Sequence, residues 1–118
     1  MPRMPTYFIS HGGGPWPWMR AQSQGRYDKL AQALSRMPQA FEGPPRAVLM
    51  VSAHWECPQF TVMAHPNPPM LYDYYGFPEE TYRVSYPAPG APQLVDRVRG
   101  LLADAGIATD VDAERGFD

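Results

Sequence analysis

The sequence has very little cysteine: Cys57 is the only one in 118 residues. A single cysteine cannot form a disulfide within the chain, so the sequence predicts a fold without disulfides in a reducing, cytoplasmic compartment. Long apolar runs are missing too, since the longest uninterrupted one is residues 47–51 (AVLMV). A membrane-spanning helix needs about 20 apolar residues, and a secretory signal needs a long apolar stretch near the N-terminus. The sequence therefore predicts no membrane partner.

Clusters of positive charge are also absent. The chain has 10 Lys and Arg residues against 12 Asp and Glu residues, for a net charge of −2, and it contains no basic run. Nucleic-acid-binding domains concentrate positive charge on one surface, so nucleic acid is not an expected partner. Hydrophobic residues make up 44% of the chain, which is enough for a core. We predict a single domain over residues 1–118.

Proline, by contrast, is abundant. The chain contains 15 prolines, and seven of them fall between Pro66 and Pro92. An average protein has only about 5% proline. The same stretch is rich in tyrosine, which predicts a long, stiff, aromatic loop of the kind that often shapes a binding site.

Hydrophobic periodicity predicts two helices and four strands. Helices are predicted where apolar residues recur at the helical spacing of i, i+3, i+4 and i+7, and Gly106 is placed to cap the second of them. The predicted helices are residues 24–37 and 91–105, and the predicted strands are residues 6–10, 46–53, 60–64 and 109–111. This order indicates an α/β domain with a mostly parallel sheet flanked by helices. The pattern breaks off just after the last strand begins, so we expect a sheet that is incomplete relative to a full domain.

Two histidines occupy equivalent places in this pattern. His11 follows the first predicted strand and His54 follows the second. Ligands of open α/β sheets bind outside the carboxyl ends of the strands, so the two imidazoles would reach one crevice if these strands are neighbours. Two neutral imidazoles can bind iron, zinc or another divalent metal. The alternative is that both are ordinary polar residues on loops.

Four further side chains lie near these histidines in the sequence. Glu56 is either a third ligand or a solvated surface carboxylate, and Cys57 is either a thiolate ligand or a small buried hydrophobic residue. His65 is interpreted as a loop histidine. Asp73, with the tyrosines at 72, 74 and 75, either lines a pocket or lies among tyrosines that pack the loop onto the sheet.

Several motifs together resemble one enzyme family. They are residues 8–15 (FISHGGGP), 51–56 (VSAHWE), 75–80 (YGFPEE), 86–90 (YPAPG) and 114–118 (ERGFD). Their order and content are similar to the class III extradiol ring-cleavage dioxygenases of the LigB superfamily, and most similar to the DODA-type aromatic ring-opening subfamily. The resemblance covers essentially the whole chain and identifies it with the N-terminal portion of such an enzyme.

The resemblance implies a metal, a substrate and a partial site. His11 and His54 would be the two histidine ligands of a non-haem Fe(II) centre, with zinc as the other metal found in such proteins. The substrates would be a catechol-type aromatic ring and O₂. The third ligand and the acid/base histidines of the family have no counterpart here and would lie beyond Asp118, so the sequence predicts no catalytic acid or base within this chain.

Three further predictions follow. Aromatic and glycine residues beside the first histidine and in the proline-rich loop are candidate walls of the substrate pocket: Gly12, Gly13, Trp16, Trp18 and Tyr75. A second hypothesis is a catalytically incomplete fragment that binds metal weakly and folds as a homo-oligomer or with a missing C-terminal part. A third is a zinc-binding, hydrolase-like protein in which Glu56 is the general base.

Overall fold

The computed structural model describes residues 3–118 of the chain. These residues divide into two compact units. The first contains residues 3–46 with Gly76–Thr81, and the second contains Ala47–Tyr75 with Tyr82–Asp118. Each unit is described by itself. The prediction of a single domain over residues 1–118 stays a prediction.

Short helices make up the first unit. A 3₁₀ helix, Trp16–Trp18, leads into helix α1 (Arg20–Ser23), which is followed by helix α2 (Asp28–Arg36) and a second 3₁₀ helix, Met37–Ala40. The predicted helix over 24–37 is confirmed from Asp28 onward. Its start is later because Gln24 and Gly25 have φ angles of 51° and 71°, and a left-handed backbone cannot continue a right-handed helix.

The partly buried face of α2 is the predicted apolar stripe. Its members share the helical spacing and are less exposed than their neighbours: Tyr27, Leu30, Ala31, Leu34 and Met37. At the N-terminal end of the helix, Asp28 accepts hydrogen bonds from Arg20 Nε and Nη2 at 3.0 and 2.7 Å. This exposed ion pair lowers the pKa of Asp28, chiefly through the hydrogen bond from Arg20. It joins α1 to the start of α2.

A β-α-β arrangement forms the second unit. Strand β1 (Phe60–Met63) and strand β2 (Thr109–Asp112) pair in parallel, with Phe60 opposite Thr109 and Met63 opposite Asp112. Helix α3 (Pro92–Asp104) connects them in sequence and packs against both strands. The predicted strands over residues 60–64 and 109–111 are therefore confirmed, as is the parallel pairing. A 3₁₀ helix, Glu79–Arg83, lies in the long loop before α3.

Helix α3 ends as its sequence predicts. Gly106 adopts a φ of 76°, its N–H donates to the carbonyl of Ala103 at 2.9 Å, and the Ile107 N–H donates to the carbonyl of Leu102 at 2.8 Å. These two bonds form a Schellman motif, in which a left-handed residue closes the helix and satisfies its last carbonyls. On the inner face of the helix, Val95 is 9% exposed and is part of the core.

The structure corrects two of the predicted strands. Residues 6–10 and 46–53 form no strand within residues 3–118, and their apolar side chains are not buried. Phe8 is fully exposed and Val51 is 88% exposed. The prediction was wrong because a strand requires a hydrogen-bonded neighbour, and an apolar run does not contain information about whether that neighbour is present. The fold class nevertheless remains α/β, as predicted.

None of the helices in the described part of the chain combines the length and the apolar character needed to cross a bilayer.

Candidate functional site

His11 lies in the first unit, in a segment held through its backbone. The indole Nε1 of Trp16 donates a hydrogen bond to the carbonyl oxygen of His11 at 2.5 Å. Trp16 itself is only 8% exposed, and its ring packs against Tyr27 with centroids 5.1 Å apart. The buried indole thus fixes the position of the chain at His11, while the histidine residue is exposed.

The glycines after His11 are required by this packing. Gly12 has a φ of 72°, and a Cβ there would lie 2.6 Å from Trp16 Nε1. Gly14 has a φ of 59°, and a Cβ there would collide with the ring of Phe77. Only glycine adopts these angles without strain and also leaves room for an aromatic ring. The glycine run is therefore explained by aromatic side chains packed against its backbone.

His54 lies in the second unit and is held through its ring. Its Nδ1 is 2.6 Å from Oδ2 of Asp73, with the two side chains 48% and 26% exposed. An ionised carboxylate can only accept hydrogen bonds, so Nδ1 carries the proton and donates it. In the neutral imidazole this places the lone pair on Nε2, the nitrogen that a metal would then bind.

The backbone around His54 is held by the last residues of the chain. Ser52 Oγ lies 2.8 Å from both carboxylate oxygens of Asp118 and donates its proton to them. The same oxygen accepts the backbone N–H of His54 at 3.1 Å. Arg115 Nη2 binds the Asp118 carboxylate at 2.8 Å, and its guanidinium lies 4.7 Å from the centroid of the Trp55 ring. Together these contacts fix residues 52–55 from one side.

Strand β2 leads into residues 115–118 through an Asx-type turn. Oδ1 of Asp112 accepts the backbone N–H groups of Glu114 and Arg115, both at 2.8 Å. These two hydrogen bonds, first that from Arg115, hold the pKa of the Asp112 carboxyl below its usual range. The turn directs residues 115–118 from the end of β2 toward the His54 segment.

The segment carrying Asp73 is tied to the same residues. Phe117 N–H donates to the carbonyl of Pro69 at 2.8 Å, and Leu71 N–H donates to the carbonyl of Phe117 at 2.5 Å. A side chain would not fit at Gly116, because its Cβ would collide with the carbonyl of Pro69. Residues 115–118 therefore connect the chain before His54 to the chain before Asp73.

The donor set fits a divalent metal only in part. His54 has the carboxylate partner that metal-bound histidines usually have on their second nitrogen, and His11 supplies a second imidazole elsewhere in the chain. Within residues 3–118, however, no group of three or more His, Cys, Asp or Glu residues is arranged to hold a metal ion. A metal bound by either histidine would therefore need further ligands from other groups.

The structure places the predicted pocket residues in contrasting environments. Trp16 is buried under the glycine run, Trp18 is exposed, and Tyr75 is 92% exposed. A groove of about 270 Å³ in the first unit is lined by Trp16 together with Arg20, Tyr27 and Leu34. Among the predicted pocket residues only Trp16 lines this groove. Their role as substrate-pocket walls stays a prediction.

Other candidate side chains are now located. Glu56 is exposed. Cys57 is a free, exposed thiol, so the expectation of a small buried residue was wrong, because the loop after His54 does not enter the core. His65 is a loop histidine as predicted, and its Nδ1 accepts the backbone N–H of Asn67 at 3.0 Å.

Comparison with known proteins decides the family. The model of the catalytic LigB subunit of aromatic ring-opening dioxygenase matches residues 5–118. The chain belongs to the LigB family. Its α/β fold and the ordered motifs that resemble LigB-type extradiol dioxygenases agree with this membership, and both His11 and His54 lie inside the matched region.

Curated LigB-type relatives align along nearly the whole chain. The 4,5-DOPA dioxygenase extradiol of Escherichia coli (strain K12) is 38% identical, covering 98% of this chain and 40% of the relative. The protein of the same name from Beta vulgaris is 37% identical, covering 96% and 41%. Dioxygenase tasH of Hapsidospora irregularis is 35% identical, covering 97% and 36%. The chain spans about two fifths of the length of these relatives.

The sequence predicts a role for the two histidines, which stays a prediction, but it does not reveal the residues that contact His54. The pairing of Asp73 with His54 spans 19 residues, and that of Ser52 with Asp118 spans 66. Neither follows a local spacing rule. The signal that was available is the family motif itself, since Ser52 lies beside His54 in residues 51–56 and Asp118 ends residues 114–118.

Proposed function

We propose that this chain forms part of a non-haem Fe(II)-dependent extradiol dioxygenase that opens a catechol-type ring with O₂. The observation that supports this most directly is the LigB match over residues 5–118, which includes both histidines. Two of the relatives named above are 4,5-DOPA dioxygenases, so DOPA is the catechol to test first. The exposed thiol of Cys57 suits a reducing cytoplasm.

The roles of the chain's own residues follow from their contacts. His54 would bind the metal through Nε2, because Nδ1 keeps its proton and donates it in the hydrogen bond to Asp73. His11 would supply the second imidazole from a backbone fixed by Trp16. Fe(II), when bound, would supply the redox chemistry that allows a catechol ring to react with O₂. A third protein ligand and an acid/base group would complete the site.

The direct test is reconstitution of the purified chain with Fe(II) under anaerobic conditions, followed by DOPA and then O₂. Binding of Fe(II), binding of DOPA by the iron-loaded protein, and a yellow ring-opened product would support the proposal. Metal analysis of the purified protein separates this proposal from the zinc-hydrolase hypothesis, in which exposed Glu56 would act as the base. Bound iron favours the dioxygenase, and bound zinc favours the hydrolase. If neither Fe(II) nor DOPA binds, the proposal is contradicted.

One observation favours a second candidate, in which the chain associates with a second copy of itself. Residues 47–51 contain no charge, and their large side chains are 61–88% exposed (Val48 66%, Leu49 61%, Met50 69%, Val51 88%). An extended apolar segment of this kind offers backbone and side chains to an identical segment, in the way that unprotected edge strands pair. We propose that this segment pairs between two copies.

Light scattering tests this candidate across a range of protein concentrations. We expect dimers or larger species, and we expect Val51→Lys to shift them toward monomer because a lysine on an edge opposes strand pairing. Gln93→Lys, which adds the same charge on the exposed side of α3, should leave the distribution unchanged. A monomer with a cooperative melt at all concentrations would contradict self-association.

A further inference from the structure

We propose that Asp73 is a positioning residue: its carboxylate fixes the tautomer and ring orientation of His54, so that Nε2 carries the lone pair offered to a metal. This inference deepens the proposed function and rests on it where the metal is concerned. Asp73 lies outside the two histidine motifs and was assigned no role beside His54 by the sequence. Its contribution follows from the geometry of the second unit.

The first step is the hydrogen bond itself. The distance of 2.6 Å between Nδ1 and Oδ2 is short for an N–H···O bond, as expected when the acceptor is charged. A solvated imidazole exchanges its proton between both nitrogens and rotates about two side-chain torsions. A carboxylate acceptor at Nδ1 selects one protonation pattern and one ring orientation, because the bond exists only when both are correct.

The second step is that both partners are held in place by the same short segment. Asp118 binds Ser52, two residues before His54, and Phe117 pairs with Leu71, two residues before Asp73. Residues 117 and 118 thus set the separation between the two chains that carry the pair. An accidental contact between two exposed side chains would have no such shared support.

The third step is the anchoring of the residues on either side of Asp73. The hydroxyl of Tyr72 donates to the carbonyl of Val84 at 2.5 Å. The rings of Tyr72 and Tyr74 both pack against Tyr82, with centroids 6.0 and 5.2 Å apart. Because its two neighbours are fixed by aromatic contacts, Asp73 presents its carboxylate from a defined backbone. A partner that is fixed in this way can hold the His54 ring in one orientation before a metal binds.

The experiment measures the His54 tautomer in the metal-free protein by long-range ¹H–¹⁵N NMR, with the signal assigned by its loss in His54→Ala. The variants are Asp73→Ala, which removes the acceptor, and Asp73→Asn, which retains an amide oxygen that can accept from Nδ1–H. Asp96→Ala, an exposed carboxylate on α3, is the matched control. Each variant is then titrated with Co(II) alone, followed by its absorption spectrum and by calorimetry.

We expect wild type and Asp96→Ala to show Nδ1 protonated and Nε2 unprotonated. Asp73→Ala should shift His54 toward exchange between both tautomers and weaken Co(II) binding by about 10- to 100-fold, the usual cost of losing such a partner. Asp73→Asn should keep the tautomer and recover part of the affinity. A residue with only a structural role would lower the melting temperature without moving the tautomer.

Two results would overturn the inference: an unchanged His54 tautomer in Asp73→Ala, or a changed tautomer with unchanged Co(II) affinity. Its failure is distinguishable from failure of the proposed function, because the NMR measurement needs neither metal nor turnover. If wild type binds no Co(II) while its tautomer responds to Asp73→Ala, the dioxygenase proposal fails and the positioning of His54 by Asp73 stands.

Discussion

The two histidine segments of this LigB chain are held in different ways. At His11 the backbone carbonyl oxygen accepts a hydrogen bond from the buried indole of Trp16, and glycines make room for the indole ring. At His54 the contacts reach the ring through Asp73 and the backbone N–H through Ser52. The two segments are thus held by different groups: an indole packed on glycines in one, and a carboxylate and a serine hydroxyl in the other.

In the proposed function, His11 and His54 both bind the metal. A histidine whose ring is fixed before the metal arrives loses little conformational freedom on binding, so it can act as the anchoring ligand. We therefore expect the two segments to respond differently to substitution, and the following predictions test that expectation.

The largest effect should come from removing either histidine. His11→Ala and His54→Ala should each abolish measurable Co(II) binding, a loss beyond the roughly 100-fold expected when only a supporting residue is lost. His65→Ala is the control, because this third histidine accepts a hydrogen bond within its own loop. The measurement is calorimetric titration with Co(II). Retained binding in His11→Ala would show that the His54 segment holds the metal without its counterpart.

The next largest effect should be Gly12→Ala, which attacks the His11 segment alone. A left-handed φ costs a residue with a Cβ about 1–2 kcal/mol, and the collision with Trp16 adds overpacking strain of about 1–3 kcal/mol. We expect the free energy of unfolding to fall by about 2–5 kcal/mol in urea denaturation followed by circular dichroism. The NMR signature of His54 should not change.

Gly100→Ala is a control that should change the free energy of unfolding in the opposite direction. Gly100 lies in α3, and a Cβ there would meet nothing within 4 Å. Alanine is favoured over glycine in a helix by about 0.5–1 kcal/mol, so this variant should be slightly more stable than wild type. Equal stability of Gly12→Ala and wild type would contradict the packing of Trp16 against the glycine run.

The same contrast explains what could be predicted from the sequence. Both helices and the end of α3 depend on local signals, such as the spacing of apolar residues in α3 and the left-handed Gly106, and these predictions were confirmed. The start of α2 came later than predicted. Parallel pairing of β1 with β2 also followed from the β-α-β order. Residues 6–10 and 46–53 look like strands for equally good local reasons, but strand formation depends on a neighbour that local sequence does not specify.

The site shows the same limit. His11 and His54 could be proposed because each lies in a motif that the sequence displays directly. Asp73 could not be assigned to His54, because the bond joins residues 19 positions apart across a loop whose path is set by tyrosine packing and by residues 117 and 118. Side-chain partners at such separations depend on the folded structure, whereas the histidines depend on the motif alone.

A smaller effect is expected from Ser52→Ala, which loosens the His54 segment without touching the ring. The substitution removes the hydrogen bonds to Asp118 and from the His54 N–H, and two exposed bonds at the low end of the usual range cost about 1 kcal/mol together. We expect a fall in melting temperature of about 4–8 °C, the shift typical of that loss in a domain of up to about 100 residues. Ser35→Ala, which removes an exposed bond to Ala31 within α2, should change stability by less than about 0.5 kcal/mol.

The smallest effect should be the pH dependence of the turn that leads to residues 115–118. Hydrogen bonds from the backbone N–H groups of Arg115 and Glu114 lower the pKa of Asp112 in the folded state. A lowered folded pKa means that the carboxylate stabilises the fold above the unfolded pKa, near pH 4, and that this stabilisation is lost as the pH falls through the folded pKa. Asp112→Asn has no charge to lose, so wild type should melt slightly higher than this variant at pH 6–7, and this difference in melting temperature should close below about pH 4.

Because the turn leads to Asp118 and Ser52, the His54 backbone N–H should become easier to exchange with solvent over the same pH range in wild type but not in Asp112→Asn. If the difference in melting temperature between wild type and Asp112→Asn is constant from pH 3 to pH 7, the two backbone hydrogen bonds do not depend on the charge of Asp112. In that case a change of pH would not loosen the His54 segment independently of His11.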